Sequence, residues 1–257
     1  MSTIITGRGV EVTRGDRVVL RNSDFSIPEA SITAVIGPNG SGKSSLLHAI
    51  TGLLPVTGDL SVLGGSPESA RDQIAYVLQH LDLTPGVPMT VLDAVTMGRY
   101  SKKSWLSPLT AEDKQAVWDA LEVLQIADLA KRQVSQLSGG QRQRVFVAQA
   151  LVQEHTVLMM DEPLTGLDIQ SAQTIDRLIH EEPARGCSVV FTTHDLEEAR
   201  AADNVILVSG YVVACGKPAE VLTPANLARA YGLGMLHPEN TGNLGILDAG
   251  HEDVHQH

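Results

Sequence analysis

A glycine-rich segment between an apolar run and a helical pattern constrains the fold of this chain more than any other feature. Residues 31–36 are mostly apolar and predict a short buried strand that leads directly into GPNGSGKS at 37–44. Residues 44–52 then predict a helix that ends at Gly52. In such a strand, loop and helix, glycines let the backbone wrap around phosphate oxygens with successive N–H groups pointing inward. We therefore predict an α/β fold with a phosphate-binding loop.

This loop supplies the candidate ligands for a nucleotide. Lys43 is expected to pair with the β- and γ-phosphates, and Ser44 is expected to ligate Mg²⁺. The positive end of the following helix adds attraction for an anion. The candidate nucleotide-binding residues of this segment are Gly37, Pro38, Asn39, Gly40, Ser41, Gly42, Lys43, Ser44 and Ser45.

A second apolar run ends in two carboxylates. Residues 156–160 predict a strand, and Asp161 and Glu162 follow it directly. In open α/β sheets, ligands collect at the carboxyl ends of the strands. Asp161 is expected to hold Mg²⁺ through water, and Glu162 to polarise a water that attacks the γ-phosphate. Alone, the pair is more typical of a solvated loop, and the phosphate loop is what favours the catalytic interpretation.

A turn with two glycines opens a later predicted helix, at Ser138, Gly139, Gly140 and Gln141. Serine is a preferred N-cap residue and glycine permits the turn, so helix capping alone could explain the segment. The same turn exposes backbone N–H groups that could bind a γ-phosphate. A chain with both elements carries half of each of two nucleotide sites. We therefore expect an ATPase that completes its sites by pairing with a second copy.

Two single polar residues follow predicted strands of the same core. Gln79 comes after the apolar residues 74–78, and His194 comes after residues 189–193. Each of these residues alone is more often structural than catalytic. They become candidate site residues only together with the phosphate loop and the carboxylates.

The composition disfavours several other classes of protein. Of the 257 residues, 43% are hydrophobic and 19% are charged, as in ordinary globular proteins. The formal net charge of −11 argues against nucleic-acid binding, which needs a basic surface. The only two cysteines, Cys187 and Cys215, indicate neither a disulfide framework nor a cysteine-rich zinc site. No apolar stretch approaches the roughly 20 residues that cross a bilayer, so a second chain must supply any membrane spans.

The order of the predicted elements gives the domain organisation. Strands over residues 1–36 contain a turn at 15–16, and the pattern becomes helical from about residue 88. Thr110, followed by two acidic residues, predicts the start of one of these helices. We expect an ATP-binding domain over 1–236, with an α/β core over about 1–84 and 153–236, a helical insertion over about 85–152, and a polar tail over 237–257.

In this order, the elements closely resemble the ATP-binding cassette of ABC transporters, over about residues 3–235. The matching segments are residues 37–44 (Walker A), Gln79 (Q-loop), residues 137–141 (the LSGGQ signature), residues 160–162 (the end of Walker B), residues 164–168 (D-loop) and His194 (switch histidine). The resemblance implies a P-loop NTPase fold. Such a fold has a RecA-like α/β core, an N-terminal antiparallel β-subdomain and a helical insertion subdomain.

The resemblance also implies a role for each site residue. Two cassettes would pair head to tail, with each ATP and its Mg²⁺ between the Walker A segment of one and the signature of the other. Glu162 would be the catalytic base and His194 would contact the γ-phosphate. Gln79 would sense the Mg²⁺ site and its water, and would relay its state to the helical insertion. Asp168 would link the two nucleotide sites across the dimer.

Two further segments, residues 90–100 and 224–232, are similar to cassettes that import manganese or zinc. The resemblance then implies two transmembrane permease subunits, an extracytoplasmic solute-binding protein and a position at the cytoplasmic face of the cell membrane. Two alternatives stay open. One is the ATPase of an iron-siderophore or other chelate importer, and the other is a soluble ABC ATPase that acts outside transport. Residues 90–100 disfavour a third alternative, lipid or drug export.

Three positions depart from the family pattern, and one of them is Gln149, which stands where an arginine often follows the signature helix. Arg14 stands where many members place an aromatic residue that stacks on adenine. A guanidinium group can also stack on a π-face, so we still expect ATP to bind there. Ser45 replaces the usual threonine after the Mg²⁺-binding serine, which is a mild change.

The C-terminal tail combines four histidines with three carboxylates, namely His237, Asp248, His251, Glu252, Asp253, His255 and His257. Histidine and carboxylate groups are good ligands for zinc and manganese, so the tail could sense a metal ion. Their spacing lacks the fixed pattern of a structural zinc site. This favours a polar tail without a metal-binding role.

Overall fold

The computed structural model describes residues 2–78, 88–101 and 107–232. Within these residues, nine strands form two sheets. The strands are β1 (Thr3–Arg14), β2 (Arg17–Pro28), β3 (Ile32–Ile36), β4 (Val56–Val62), β5 (Ile74–Val77), β6 (Val157–Met160), β7 (Ser188–Thr193), β8 (Asn204–Val208) and β9 (Val212–Gly216). The sheets confirm the predicted α/β class.

The same part of the chain forms nine α-helices. They are α1 (Lys43–Ile50), α2 (Pro67–Ala70), α3 (Val91–Met97), α4 (Ala111–Val123), α5 (Gly139–Leu151), α6 (Ile169–Glu181), α7 (Leu196–Ala201), α8 (Pro218–Val221) and α9 (Pro224–Tyr231). Thr110 forms a capping box with Asp113 at the start of α4, as the sequence predicts. The helix α1 ends at Ile50, two residues before Gly52, which has a φ of +68°.

The smaller sheet is antiparallel, with the strand order β2–β1–β4. Strands β1 and β2 form a hairpin in which Arg14 lies opposite Arg17, around the predicted turn. The third strand, β4, pairs with the other side of β1. Its sequence, VTGDLSV, contains a glycine and an aspartate and buries only Leu60 and Val62. The hydrophobic pattern therefore does not predict this strand.

The larger sheet has the strand order β5–β6–β7–β3–β8–β9. Its first five strands are parallel, and β9 is antiparallel to β8. Side chains alternate between the two faces, so Val35 packs with α1 and the antiparallel sheet, whereas Ala34 and Ile36 pack with α3 to α7. The sheet therefore lies between two hydrophobic layers, and only the ends of its strands reach polar loops.

Arg99 ties together the helices that follow β5. Its guanidinium lies 2.8 Å from the Asp113 carboxylate at the start of α4. It also donates a 2.7 Å hydrogen bond to the carbonyl of Val152, just after α5. Because Asp113 is 1% exposed, this pairing fixes the end of α3 against two neighbouring helices. The boundaries predicted for the helical insertion, at about 85 and 152, stay a prediction.

Several residues named in the sequence analysis lie outside the described part of the chain. These are Gln79 and the tail residues 237–257, including His237, His251, His255 and His257. No helix among the described residues is long and apolar enough to cross a membrane.

Candidate nucleotide site

Three predicted site segments meet at the carboxyl edge of the parallel sheet. The phosphate loop follows β3, Asp161 and Glu162 follow β6, and His194 follows β7. Strand β7 lies between β6 and β3, and Ile36 pairs with Thr193 at the end of β3. Parallel neighbours end at the same edge, so segments that are distant in sequence converge there.

The phosphate loop is a tight turn that depends on its glycines. Gly40 and Gly42 have φ values of +75° and +106°, which side chains other than glycine rarely adopt. A Cβ atom at Gly37 would overlap the carbonyl oxygen of Val208. The hydroxyl of Ser41 is buried and has no hydrogen-bond partner among the described residues. The loop therefore presents backbone groups and an unsatisfied polar atom where a side chain could not fit.

Lys43 is held over this loop. Its Nζ donates to the carbonyls of Gly37, at 3.0 Å, and of Pro38, at 3.3 Å, and the residue is 6% exposed. Burial lowers the pKa of Lys43, while the carboxylates of Glu162 and Asp161 oppose that shift. The ammonium group is thus oriented by weak acceptors that an anionic ligand could replace.

Thr192 joins the two carboxylates that follow β6. Its hydroxyl donates a 2.5 Å hydrogen bond to Oδ1 of Asp161 and accepts a 2.8 Å bond from the backbone N–H of Glu162. Asp161 is 6% exposed, so this bond satisfies a nearly buried charge. Glu162 has a φ of +47°, which is uncommon for a residue with a side chain. The strained turn directs Glu162 toward the cavity in front of the phosphate loop.

That cavity has a volume of about 900 Å³. Its lining combines the phosphate loop and Glu162 with arginines from the β1–β2 hairpin and β2, namely Arg14, Arg17 and Arg21. Arg21 is itself steadied by the ring of Tyr211, whose centroid lies 6.0 Å from its guanidinium carbon. The cavity is therefore strongly basic and large enough for a polyphosphate ligand.

The Ser-Gly-Gly turn lies away from this cavity. Ser138 caps α5 and forms a capping box with Gln141, as its sequence predicts. Among the described residues that line the cavity, none belongs to residues 138–141. A Cβ atom at Gly139 would meet nothing within 4 Å, whereas one at Gly140 would overlap the carboxylate of Asp168. One side of the turn is thus open, and the other side is packed.

Asp168 connects this turn to the segment that follows β6. Its carboxylate caps α6, accepting from the backbone N–H of Ser171 at 2.9 Å and from its hydroxyl at 2.7 Å. The hydrogen bond from the Ser171 backbone is the main reason that the pKa of Asp168 lies below its usual value. The structure thus packs Asp168 against the Ser-Gly-Gly turn of its own chain.

The structure also gives the positions of His194 and of two residues that depart from the family pattern, Arg14 and Ser45. His194 is exposed directly after β7, and Asp195 beside it caps α7 through the backbone N–H of Glu197. Arg14 and Ser45 both line the cavity. Gln79 follows β5 in the sequence but lies outside the described residues.

Sequence reasoning missed Thr192, Arg17 and Arg21. Thr192 is a polar residue inside the apolar strand SVVFTT, two positions before His194. A fully buried threonine near the carboxyl end of a central strand is a usable signal, because its hydroxyl needs a partner. The two arginines gave no comparable local signal, since only the hairpin brings them to the phosphate loop.

A phosphate loop, a pair of carboxylates after a neighbouring strand and a capped Ser-Gly-Gly turn outside the cavity define the nucleotide-binding cassette of an ABC ATPase. The chain belongs to the ABC transporter family, whose family model matches residues 20–165. It is therefore an ATP-binding subunit of a transporter and works with membrane permease partners.

Curated relatives match most of the chain. The zinc transport system ATP-binding protein TroB of Treponema pallidum is 40% identical over 216 residues, which are 83% of this chain and 81% of TroB. The manganese transport system ATP-binding protein MntB of Bacillus subtilis is 38% identical, over 87% of this chain and 90% of its own. The manganese transport system ATP-binding protein MntA of Synechocystis sp. is 37% identical, over 87% of this chain and 88% of its own.

Solved structures share the fold. An inward-facing conformation of an ABC transporter superposes with a TM-score of 0.78 and 28% identity, covering 90% of both chains. The ADP conformation of MJ1267, an ATP-binding cassette of an ABC transporter, superposes with a TM-score of 0.76 and 26% identity. It covers 91% of this chain and 100% of MJ1267. The predicted cassette fold is thereby confirmed.

Proposed function

We propose that this chain is the ATPase that energises an importer of divalent transition-metal ions, either zinc or manganese. One observation carries the proposal. The zinc and manganese transport ATP-binding proteins above match 83–87% of the chain at 37–40% identity. The transported ion would be selected in the membrane and solute-binding chains, because the basic cavity of this chain suits a polyphosphate with its Mg²⁺ and not a free metal ion.

ATP fits the cavity at the phosphate loop. The glycine backbone, the Lys43 ammonium and the Ser41 hydroxyl all support a bound triphosphate, since that hydroxyl has no hydrogen-bond partner among the described residues. We assign the triphosphate to residues 37–45. Arg14 lines the same cavity, and its planar guanidinium is suited to stack on the adenine ring.

Ser44 and Asp161 are the proposed ligands of Mg²⁺. A hydroxyl and a carboxylate oxygen suit this hard cation, which retains several waters and is partly held by the substrate's phosphates. Mg²⁺ bound there would neutralise charge that develops on the β- and γ-phosphates. Thr192 fixes the Asp161 carboxylate for this role through its 2.5 Å hydrogen bond. Gln79 is proposed as a further contact to the same ion.

Glu162 is the proposed general base. Its backbone is fixed by Thr192, and its side chain lines the cavity beside the phosphate loop. From there its carboxylate could accept a proton from a water that attacks the γ-phosphate. His194, after the neighbouring strand, is the proposed contact to the γ-phosphate. Both residues would act on one phosphate from adjacent ends of β6 and β7.

The proposed active unit is a head-to-tail dimer. In support, residues 138–141 do not line the cavity of their own chain among the described residues, although they open helix α5, and a helix N-terminus attracts anions. The open side of Gly139 leaves room for a phosphate that a second copy carries. Asp168 beside this turn would carry the state of one nucleotide site to the other.

The proposed assembly contains two cassettes, two permease subunits and an extracytoplasmic solute-binding protein. In this proposal, the cassettes lie at the cytoplasmic face of the membrane. ATP binding would close the dimer, and hydrolysis would reopen it. Those motions would alternate access in the permease subunits.

Metal content of cells tests the proposed function. Zinc, manganese and iron are measured in cells that lack this chain, and then in cells rescued with the wild type or with Glu162→Gln. We expect cells without the chain to lose zinc or manganese, and only the wild type to restore it. Unchanged metals under limitation for each ion would contradict the proposal. Loss of iron alone, seen when iron is supplied as a chelate but not when it is supplied as the free ion, would instead support the chelate importer.

A further inference from the structure

Three potential metal ligands meet at the amino edge of the parallel sheet, opposite the nucleotide site. His155 precedes β6, Cys187 precedes β7, and Glu182 begins the turn between α6 and β7. Ligand atoms of the three side chains all lie within 4.8 Å of one another. Because Val157 pairs with Ser188, the residues just before these two strands are brought together at one edge.

The geometry points to a zinc-binding site formed by His155, Glu182 and Cys187. This site is separate from the nucleotide cavity and does not depend on which ion the transporter carries. It would hold one Zn²⁺ through Nε2 of His155, a carboxylate oxygen of Glu182 and Sγ of Cys187. A water would complete the tetrahedron, because Cys187 is partly exposed and leaves access from solvent.

The imidazole of His155 is already oriented as a metal ligand. Its Nδ1 lies 2.7 Å from the carbonyl oxygen of Gln153, which can only accept, so Nδ1 carries the proton. Nε2 then presents a lone pair to the cluster. It is buried without a hydrogen-bond partner among the described residues, and the side chain is 5% exposed. Metal-binding histidines commonly have their second nitrogen fixed by a carbonyl in this way.

One carboxylate oxygen of Glu182 faces the cluster, and the other is held by a hydrogen bond from Arg185. Its Oε1 accepts a 2.9 Å hydrogen bond from Arg185, whereas its Oε2 lies 3.4 Å from Nε2 of His155. Two lone-pair atoms this close, with the Glu182 side chain 2% exposed, leave a polar contact that a cation would satisfy. A simple ion pair would instead require a proton on Nε2, and the contact exceeds ordinary charge-assisted hydrogen-bond lengths.

The spacing and the ligand types both favour zinc. With zinc–ligand distances of about 2.0–2.3 Å, the ligand atoms of a tetrahedral site lie roughly 3.3–3.8 Å apart. The His155–Glu182 distance of 3.4 Å already matches. The Cys187 sulfur lies within 4.8 Å of the other two ligand atoms, so it needs to approach by at most about 1 Å, a shift that a side-chain rotation can supply. A thiolate ligand selects zinc over manganese, which prefers oxygen.

Zinc binding at this site would release one proton, from the thiol of Cys187. Burial, together with the negative charge of Glu182, raises the pKa of the Cys187 thiol to about 11. The thiol is therefore protonated in the metal-free protein at neutral pH. On binding, the S–H proton leaves to solvent and a zinc–sulfur bond replaces it.

Cobalt binding to the full-length protein tests this site. The metal-free chain is titrated with Co²⁺ under reducing, anaerobic conditions, and the sulfur-to-cobalt charge-transfer absorption is recorded. The tail histidines cannot produce this absorption, because the chain has only two cysteines and neither lies in the tail. We expect the band in the wild type and in Cys215→Ser, and its loss in Cys187→Ser. Cys215 is the matched control because its sulfur bonds to the backbone of Ser26 and does not belong to the cluster of His155, Glu182 and Cys187.

A second variant keeps the test decisive if Cys187→Ser does not fold. His155→Asn retains an amide that can donate to the Gln153 carbonyl, but it removes the Nε2 ligand. We expect zinc, measured by its displacement of cobalt, to bind about 100-fold more weakly or worse to this variant. An unchanged band in Cys187→Ser, no band in the wild type, or unchanged zinc affinity in His155→Asn would each overturn the proposal.

Discussion

The two edges of one parallel sheet carry two different polar clusters. At the carboxyl edge, Asp161 and Glu162 share Thr192 and adjoin a basic cavity of about 900 Å³. At the amino edge, His155 and Glu182 face each other with side chains only 5% and 2% exposed. Strands β6 and β7 contribute to both clusters. The comparison shows that one pair of parallel strands can bring distant residues together at both of its ends, beside a basic cavity at one end and in a cluster of potential metal ligands at the other.

The largest expected effect is a loss of ATP turnover at the carboxyl edge that leaves metal binding at the amino edge unchanged. Glu162→Gln should lower the ATP turnover of the purified protein by about 10²–10⁴-fold, because it removes the proposed general base. ATP binding and the cobalt absorption at Cys187 should both persist. Turnover and nucleotide affinity are measured separately to establish this. Normal turnover by Glu162→Gln would remove Glu162 from its proposed role.

A smaller effect is expected on stability when a threonine hydroxyl is removed. Thr192, at the carboxyl edge, is compared with Thr156, at the amino edge. Thr192→Val deletes the donor to Asp161 and the acceptor for the Glu162 N–H, so the free energy of unfolding should fall by about 3 kcal/mol. Thr156→Val deletes, among the described residues, only a 3.4 Å bond to the Gln73 side chain, and it should cost less than about 1 kcal/mol. Chemical denaturation of both variants measures these changes. If both variants lose the same free energy of unfolding, the hydrogen bonds of Thr192 to Asp161 and Glu162 do not stabilise the carboxyl edge as described.

The smallest effect is expected on stability, from the close packing of the start of α5 against Asp168. Gly140→Ala should destabilise the fold by about 1–2 kcal/mol, because the new methyl group overlaps the Asp168 carboxylate. The adjacent control, Gly139→Ala, meets open space and should leave stability unchanged or slightly higher. Thermal unfolding of the two variants compares them. A loss that is equal or greater in Gly139→Ala would contradict the packing described for this turn.

The carboxyl edge could be predicted from the sequence because its signals are local. The phosphate loop, the two carboxylates and the Ser138 cap each lie in a short segment next to a recognisable strand or helix. Spacing alone then predicts their conformation. Strand β4 could not be predicted in this way, since four of its seven residues are polar or glycine and its pairing with β1 decides its conformation.

The amino edge could not be predicted because no segment of the sequence contains its pattern. His155, Glu182 and Cys187 are far apart in the chain, and each is a common residue in its own surroundings. Only the register of β6 with β7 brings them together. The tail histidines attracted attention as metal ligands because they are close in sequence. Among the described residues, the ligand set that tertiary structure assembles is the cluster at the amino edge.

The central claim is that each nucleotide site joins the phosphate loop of one chain to the Ser138 turn of another. Two variants test it together. Lys43→Ala removes the ammonium group at the phosphate loop, and Gly139→Asp puts a negative charge at the open side of the turn without a clash. Each protein alone should fail to hydrolyse ATP.

ATP hydrolysis by an equimolar mixture of these two variants is the deciding measurement, with mixed dimers verified by an affinity tag on one variant. In a mixed dimer, one composite site carries both changes and the other carries neither. Random pairing leaves roughly a quarter of all sites intact, so the mixture should recover up to about that share of wild-type turnover. A mixture that forms mixed dimers and stays as inactive as its components would contradict the account.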